Sequence, residues 1–413
     1  MSQKIVIIGA GFAGMYSALA SRRLISQNGK DEDIDVVVIA PEPILAVRPR
    51  LYEADPATMA APLEALFNAT GVKFVQGLAK AIDTNTKLVE VASTRGKKAQ
   101  IEYSRLILAA GSHLKMPNVN GLKEHAFNVD QLQSATVLDK HLHDLAQTPN
   151  SPARNTVVVC GGGFTGIELA AELPARLRSI LGDEAETRVV VIERSPEIGP
   201  RLGPGPRPEI EKALREYGVE LKLGIAVTSV DDHGVTTSTG ERVEASTVVW
   251  TGGMVATELT QQIPGEKDAL GRLLVDKNLR GLQSPEVFAT GDAASAATDD
   301  AGHTALMSCQ HALMLGRSSG HNAAADLLQL PNRPYSQPVY GTCLDLGPKG
   351  AVVTSGWDRQ IVFTGSQAKS VKQFINTTLI YPPPANAEEA FTIADPDYQI
   401  PTLAPPSTVT VEA

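Results

Sequence analysis

The sequence predicts an α/β protein with two similar halves, the second inserted into the first, followed by a C-terminal α+β region. The first observation is an apolar run at 4–8 that breaks into the pattern G-x-G-x-x-G and continues into a helix-like stretch through Ala20. The second is that the same arrangement recurs at 156–166. The third is a change from Asn332 onward to short strands rich in Tyr, Val and Gly. Alternating strands and helices favour parallel sheets covered by helices.

The two glycine turns have the residue types that a nucleotide pyrophosphate requires. Glycine lets the backbone turn tightly, approach a phosphate and pack the next helix against the strand, and the helix N-terminus supplies unpaired N–H donors. A second strand follows each helix, at 35–40 and at 188–193, which completes a βαβ unit twice. Together they predict two Rossmann-like dinucleotide-binding domains. The glycines concerned are Gly9, Gly11, Gly14, Gly161, Gly163 and Gly166.

Three further strand ends are expected to lie near the nucleotides. Segments 104–112 and 246–253 are apolar runs that end in glycine-containing turns. Segment 287–294 has no counterpart and precedes a helix-like stretch at 304–328, so it is interpreted as the return of the chain to the first half. The residues expected at these turns are Ala110, Gly111, Gly252, Gly291 and Asp292.

This order of segments predicts a discontinuous first domain. We expect residues 1–118 and 279–330 to form it, and residues 119–278 to form the inserted domain. Residues 331–413 are expected to form the C-terminal region, with a mobile tail at 402–413 because that stretch is short of large apolar residues and rich in proline.

The composition argues against a nucleic-acid partner and a membrane span. Acidic residues outnumber basic ones by 46 to 37, which gives a formal net charge of -9, whereas phosphate backbones are bound by positive faces. The apolar runs have the length of strands, far below the roughly 20 residues that a membrane helix needs. The first strand begins at Lys4, too early for a secretion signal to precede it. The expected location is the cytoplasm.

The cysteine and histidine patterns indicate neither redox thiols nor a metal. Cys160, Cys309 and Cys343 are far apart, without C-x-x-C or C-x-x-x-x-C spacing. The eight histidines show no ligand-like spacing with cysteines or carboxylates, so no metal site is expected.

The acid at the end of the second strand determines the expected nucleotide of the inserted half. Glu193 lies where a carboxylate binds both ribose hydroxyls of NAD and repels the additional phosphate of NADP. Arg194 follows directly and offers a positive charge to that phosphate. NADPH therefore stays an alternative, although NADH is expected to be preferred. In the first half the strand ends at Ala40, and the acid, Glu42, is displaced by two residues. Glu42 is expected to reach the ribose of the first nucleotide, and the alternative for Glu193 is a solvated acid at the strand end.

These motifs together resemble the pyridine nucleotide-dependent FAD reductases with two dinucleotide-binding domains. The similarity covers roughly residues 4–325 and rests on the two glycine turns and on the strand-end turns described above. Within that group, segments 47–52 and 341–353 are similar to type II NADH:quinone dehydrogenases and their relatives near apoptosis-inducing factor. The resemblance implies FAD in the first domain and NADH in the inserted one.

The resemblance also implies roles for particular residues. Asp292 is expected to bind the ribityl chain or the pyrophosphate of FAD, and the loop with Arg48 and Pro49 is expected beside the isoalloxazine ring. The other residues expected at the cofactors are Phe12, Ala13, Ala81, Phe164, Thr165, Ala305 and Leu306.

The cysteines that related enzymes use in electron transfer are absent. Disulfide-reducing members have a cysteine pair in the first helix, and single-cysteine peroxidases have one after the second strand, whereas 15–20 and 41–52 contain none. Electrons are therefore expected to pass directly from the flavin to a small, quinone-like acceptor.

Two departures from the type II dehydrogenases leave the acceptor open. Their helix start reads Ala-Gln-x-x-x-Gln, whereas here Leu306 replaces the first glutamine and Gln310 keeps the second. Residues 382–413 are acidic and rich in proline, unlike a basic amphipathic membrane helix. A soluble quinone-like metabolite, peripheral membrane contact and a homodimer all stay open. The alternatives are a biosynthetic or ferredoxin-type reductase of the same fold, or a slow redox-sensing binding protein.

Two acids on the helix after the second glycine turn are the candidate catalytic residues. Glu168 and Glu172 are four residues apart and share one helix face. The resemblance implies that Glu168 approaches the nicotinamide and the flavin, whereas Glu172 lies either near a proton route or on a solvated face. Gln310 is the third candidate, as a polar contact of the acceptor. His303 and His311 are interpreted either as packing residues or as acceptor contacts.

Overall fold

The first sheet combines strands from the two ends of the predicted discontinuous domain. The computed structural model describes residues 2–93, 96 and 98–399, so the tail expected at 402–413 lies outside the described residues. The central strand pairs in parallel with its neighbours on both sides. In spatial order the strands are Arg280–Gly281, Ser284–Ala289, Arg105–Leu108, Gln3–Ile8, Ile34–Ala40 and Lys73–Gln76.

The first sheet is apolar on both faces because both faces are covered. Ile5 and Ile7 pack in one cluster with the helices, whereas Val6 and Ile8 pack in another with a small antiparallel sheet. This alternation follows from the two-residue period of a strand. The small sheet consists of Leu78–Asp83, Leu88–Ala92 and Lys98–Glu102.

The second sheet repeats this arrangement. Val157 and Val159 belong to the helix-side cluster, and Val158 and Cys160 pack against a second small antiparallel sheet. The predicted α/β class with two Rossmann-like halves is confirmed. The strands of the second sheet are Glu220–Leu223, Arg188–Glu193, Thr156–Cys160 and Thr247–Trp250, and those of its covering sheet are Val227–Asp231, Gly234–Thr237 and Arg242–Glu244.

Three helices position the functional residues: the first glycine helix, Phe12–Gln27, the second glycine helix, Phe164–Leu181, and the long helix, Cys309–Leu327. Within the described ranges, no helix is long and apolar enough to cross a membrane. The other α-helices are Glu64–Thr70, Leu122–His125, Leu132–Asp144, Arg207–Glu216, Gly365–Phe374 and Ala387–Ile393, and the two-stranded pairs are Ile44–Ala46 with Ala60–Pro62, Ser112–Leu114 with Met254–Ala256, and Leu273–Leu274 with Ala294–Ser295.

The long helix begins five residues later than the sequence predicts. The expected start at 304 is wrong because Ser308 forms the N-cap and its hydroxyl accepts from the backbone N–H of His311 at 3.3 Å. Ala305 instead continues an extended segment, since its N–H donates to the Ala296 carbonyl at 2.9 Å. Ala305 and Leu306 therefore precede the helix.

The C-terminal region is mixed α+β. Its sheet consists of Gly341–Asp345, Ala351–Ser355 and Gln360–Thr364, and Ala368 and Val371 of the next helix pack against it. Within the acidic, proline-rich stretch after Tyr381, a short helix forms at Ala387–Ile393. The side chain of Asn386 caps it by accepting from the N–H of Glu389 at 3.1 Å.

Candidate active site

The first glycine turn is closed on its protein side and open on the other. Gly9 has φ +111°, a conformation that favours glycine, and it lies against the carbonyl of Ala109. Gly14 packs directly against the carbonyl of Gly9. A Cβ atom on Gly11 would meet nothing within 4 Å. The space above Gly11 is therefore available to a ligand.

The second glycine turn has the same construction. Gly161 has φ +123°, and its carbonyl accepts from the Thr251 hydroxyl at 3.0 Å. Gly166 packs directly against that carbonyl, and a Cβ on Gly163 would meet nothing within 4 Å. The two halves thus reproduce one geometry from two different sequences.

Both turns fit the pyrophosphate of a dinucleotide. Neither Gly11 nor Gly163 caps its helix with a side chain, so the first-turn N–H groups keep the unpaired donors that helix N-termini offer to phosphates. Among the residues expected at these turns, Phe12 and Ala13 are buried, whereas Thr165 is exposed and Phe164 is partly buried.

The strand-end turns lie beside the glycine turns. Gly291, at φ +60°, approaches the first glycine helix so closely that a Cβ would lie 2.8 Å from that of Ala13. On Gly9, a Cβ would lie 3.2 Å from the Cα of Ala110. The carbonyl of Gly111, at φ +67°, accepts from the backbone of the inserted half, at the Thr257 N–H. Gly252 follows Thr251, whose hydroxyl donates to the carbonyl of Gly161 in the second glycine turn.

Glu193 is a fixed carboxylate beside the second glycine turn. Its two oxygens accept from the N–H groups of Gly162 at 2.7 Å and Ser195 at 2.8 Å, and the residue is only 9 % exposed. Arg194 is exposed. In the first half, by contrast, Glu42 and Ala81 are exposed, and within the described part of the chain neither is joined to the glycine turn by a hydrogen bond or ion pair. Their roles stay predictions.

Arg48, Ser112 and Asp292 come together at the junction of the two halves. The Ser112 hydroxyl donates to Asp292 Oδ2 at 2.5 Å, and Arg48 Nη1 lies 3.8 Å from the same oxygen. Arg48 also pairs with Asp130 at 2.5 Å, while Pro49 keeps the arginine in a tight 3₁₀ turn. Burial raises the pKa of Asp292, although its bond to Ser112 and the charge of Arg48 oppose the rise.

Glu168 forms a buried ion pair with a residue of the C-terminal region. Its Oε1 accepts from Lys372 Nζ at 2.7 Å and from the N–H of Asp345 at 3.0 Å. Burial raises the pKa of Glu168 to about 7, although the Lys372 ammonium opposes the rise. Lys372 Nζ lies 5.6 Å from the ring centre of Tyr52 and 5.7 Å from that of Phe164. The pair is therefore placed where the first half, the second glycine helix and the C-terminal region meet.

Glu172 belongs to a chain of polar groups that leads outward from this pair. Lys369 Nζ lies 2.6 Å from Asp345 Oδ1 and 3.7 Å from Glu172 Oε1. The Tyr52 hydroxyl donates to the other oxygen of Asp345 at 3.0 Å. The Glu172 side chain is 25 % exposed, so this chain connects a buried acid with the surface.

The start of the long helix presents Gln310 but no reactive thiol. Gln310 Oε1 accepts from the N–H of Gly341 at 3.4 Å, and Leu306 is 37 % exposed. Burial raises the pKa of the Cys309 thiol to about 11 and that of Cys160 to about 12, which keeps both protonated near pH 7. All three cysteines are free.

Sequence reasoning missed several residues of this site. Lys369 and Lys372 are three apart on one helix face, a spacing that would have identified them had the helix been expected. Asp345 ends a strand before a glycine-containing turn, which is the other available signal. Asp130 and Ser112 had no distinctive pattern, because their partners are distant in sequence.

Comparison with known proteins is consistent with this architecture. Residues 3–316 match the family model described as pyridine nucleotide-disulphide oxidoreductase. A NADH dehydrogenase-like protein of Mycobacterium tuberculosis is 45 % identical over 383 residues, which cover 92 % of this chain and 94 % of the relative. A type II NADH:quinone oxidoreductase of Staphylococcus saprophyticus is 24 % identical over 398 residues, with 92 % and 95 % covered.

A solved structure shows the same fold. NDH2 from Plasmodium falciparum, in complex with NADH, superimposes with a TM-score of 0.75 at 15 % identity, covering 95 % of this chain and 97 % of that one. These findings confirm the predicted resemblance and the expectation of FAD and NADH as cofactors. The chain belongs to the pyridine nucleotide-disulphide oxidoreductase family.

Proposed function

We propose that this protein takes a hydride from NADH and passes electrons directly to a quinone-like acceptor, with FAD as the carrier. The observation that carries the proposal is the buried Glu168–Lys372 pair. Reduction of a quinone consumes two protons with two electrons, and an acid with a pKa of about 7 next to an ammonium group is suited to deliver them.

In this proposal each region has one task. Residues 1–118 and 279–330 hold FAD at the first glycine turn and at Asp292. Residues 119–278 hold NADH at the second glycine turn and at Glu193, and residues 331–413 cover the reaction site. FAD, when bound, supplies the conversion between a two-electron hydride donor and the acceptor.

The protein's own contribution is position and protons. Glu168 is buried and gains or loses its proton near pH 7 because burial raises its pKa to about 7, and Lys372 is bound to it and lies close to two rings. Lys369, Asp345 and Glu172 connect that pair with solvent, so a spent proton can be replaced without opening the site.

The relatives support the acceptor class. The staphylococcal relative is named for a quinone, whereas the more similar mycobacterial one is named only for NADH. The protonated, separated cysteines agree with a transfer that uses no thiol relay. As part of the proposal, the enzyme works in the cytoplasm, where NADH is available to it.

Stopped-flow absorbance tests the proposal on the purified yellow protein. Anaerobic NADH is expected to bleach the flavin band rapidly, and a water-soluble naphthoquinone is then expected to restore it rapidly. If NADH bleaches the flavin but every quinone restores it slowly and a ferredoxin restores it rapidly, the acceptor is a ferredoxin and not a quinone. Slow bleaching by NADH would contradict the enzymatic proposal itself.

A further inference from the structure

A cluster of rings lies beside the start of the long helix. His303 stacks parallel to Trp357, with ring centres 4.5 Å apart and 2° between the planes. Tyr340 lies 4.5 Å from His311 and 5.4 Å from Trp357. The cluster adjoins the candidate acceptor contact, because Gln310 binds the N–H of Gly341, the residue after Tyr340.

Three polar atoms in this cluster are buried and have no hydrogen-bond partner among the residues that the structure describes. They are His311 Nε2, Trp357 Nε1 and Arg359 Nη1. His311 is fully buried and Arg359 is only 7 % exposed. Buried polar atoms without hydrogen-bond partners are rare in proteins, because they lose their bonds to water and gain none in return. Trp357 Nε1 and Arg359 Nη1 can only donate, so this cluster lacks hydrogen-bond acceptors for them in the part of the chain that the structure describes.

Arg359 adds a buried positive charge to this cluster. Within the described ranges it forms no ion pair with a carboxylate; its guanidinium lies 4.7 Å from the ring centre of Tyr340. Its backbone is strained, with φ +60°. The loop with Gly203 and Gly205 packs against it, and a Cβ on Gly205 would lie 2.8 Å from the Arg359 carbonyl. A buried arginine is normally neutralised, so an anion is the partner that this position lacks.

We propose that Arg359 and Trp357, beside His311 and Tyr340, bind the acidic group of the electron acceptor. Trp357 Nε1 and Arg359 Nη1 are the donors available to such a group, and Arg359 neutralises its negative charge with charge-assisted hydrogen bonds. The inference rests on the proposed function and narrows its acceptor to acidic quinone-like compounds. The phosphates of NADH are an alternative source of negative charge, but the second glycine turn already provides for them.

Binding to the oxidised FAD protein, without NADH, tests this inference apart from turnover. The probes are 1,4-naphthoquinone-2-sulfonate, which is anionic, and neutral 1,4-naphthoquinone. Titration calorimetry is expected to show tighter binding of the sulfonate. Arg359→Gln is expected to lower the affinity for the sulfonate at least about 10-fold, which corresponds to the loss of a hydrogen bond to a charged group. The affinity for the neutral probe is expected to fall less than about 2-fold.

Two variants serve as matched controls. Arg201→Gln removes the same charge from an exposed position in the neighbouring loop, and it is expected to leave the preference unchanged. Arg359→Lys keeps the positive charge and is expected to retain most of the preference for the sulfonate. In a Trp250→Phe background the only remaining indole is Trp357, and the sulfonate is expected to quench its fluorescence.

Several results would overturn the inference. These are equal affinity of both probes for the wild type, an unchanged affinity in Arg359→Gln, or displacement of the sulfonate by saturating NAD, which would assign Arg359 to the nucleotide. If Arg359→Gln does not fold, Trp357→Phe is used instead, because it removes the unpartnered Nε1–H group of Trp357. An undiminished affinity of that variant for the sulfonate would exclude this cluster as the binding site. Slow flavin bleaching by NADH would contradict the proposed function and leaves these binding measurements intact.

Discussion

At the scale of single residues, the structure separates glycines that serve the fold from glycines that leave room for a ligand. Gly9 and Gly14 touch backbone on the protein side, whereas Gly11 and Gly163 face open space in unstrained conformations. Conformational strain therefore does not explain the latter two glycines. We expect the close approach of a phosphate to explain them.

Gly11→Leu and Gly163→Leu are expected to have different effects on the two cofactors. An added Cβ at either position would meet nothing within 4 Å, so both variants are expected to fold, but Gly11→Leu is expected to lose the flavin colour and Gly163→Leu to keep it. The latter is expected to raise the KM for NADH instead. FAD stoichiometry by absorbance and steady-state kinetics measure the two effects, and each variant is the control for the other. Full FAD content in Gly11→Leu would show that the first turn is misassigned.

Glu193→Gln is expected to narrow the preference for NADH over NADPH by about 10-fold, because a carboxylate held in place at 9 % exposure repels a phosphate more strongly than it does in water. The ratio of kcat/KM for the two nucleotides measures it. Glu184→Gln, which removes the same charge from an exposed loop, is the control. Equal kcat/KM values in the wild type would instead assign Arg194 as a phosphate partner.

Glu168 is expected to make reoxidation by the acceptor depend on pH. Because its pKa is raised to about 7, the proton is present below that pH and is lost above it, so the reoxidation rate falls as pH rises through about 7. Glu168→Gln is expected to slow reoxidation about 100-fold and to abolish this pH dependence, while bleaching by NADH continues. The contrary result is a wild-type pH profile in the variant.

At the scale of elements, two helices from opposite ends of the sequence are in close contact. Gly316 and Gly320 of the long helix touch the backbone of Ala13 and Ser17 in the first glycine helix. The Ser17 and Ser319 hydroxyls are 3.0 Å apart. This contact places the start of the long helix over the first glycine turn.

Gly320→Ala is expected to lower the free energy of unfolding by about 1–3 kcal/mol, because the added methyl overlaps the backbone of Ser17 and forces the helices apart. Urea unfolding measures the change. Gly163→Ala, whose methyl meets open space, is expected to be close to the wild type in the absence of NADH. An unchanged midpoint in Gly320→Ala would mean that the helices separate at little cost.

At the scale of the whole molecule, polar contacts join the three regions at one point. Tyr52 comes from the first half, Glu168 and Glu172 from the inserted half, and Asp345, Lys369 and Lys372 from the C-terminal region. The cysteines, by contrast, are distributed over separate elements without mutual contact, one in the second sheet, one at the long helix and one in the C-terminal sheet.

Replacement of Cys160, Cys309 and Cys343 by alanine together is therefore expected to keep most of the NADH:quinone activity. Electrons in the proposed mechanism never pass through a thiol, and the only expected cost is a loss of stability from the buried Cys160. Steady-state turnover at matched FAD content measures it. If the triple variant folds and binds FAD but has lost all turnover, direct transfer from the flavin is refuted. Normal activity of the single variant Cys343→Ala would not change that conclusion, because the other two cysteines remain in it.

The sequence alone determined the parallel cores, both glycine turns and the acid at the second strand end. These features depend on local period and on glycine geometry, which neighbours in the chain decide. The helix at 387–393 was missed because the prolines near it outweighed the Asn386 cap. The start of the long helix was misplaced because the apolar residues Ala305, Leu306 and Met307 directly precede its cap, Ser308.

Only the tertiary structure determined the burial and the partners of Glu168 and Arg359. In sequence, Glu168 is one of two acids on a helix face, and it became a buried acid because Lys372, 204 residues away, packs against it. Arg359 is one of many arginines, and among the described residues it pairs with no carboxylate, because the turn that carries it folds onto Tyr340 and His311. Burial and pairing depend on contacts between distant segments, so no local pattern could have predicted them.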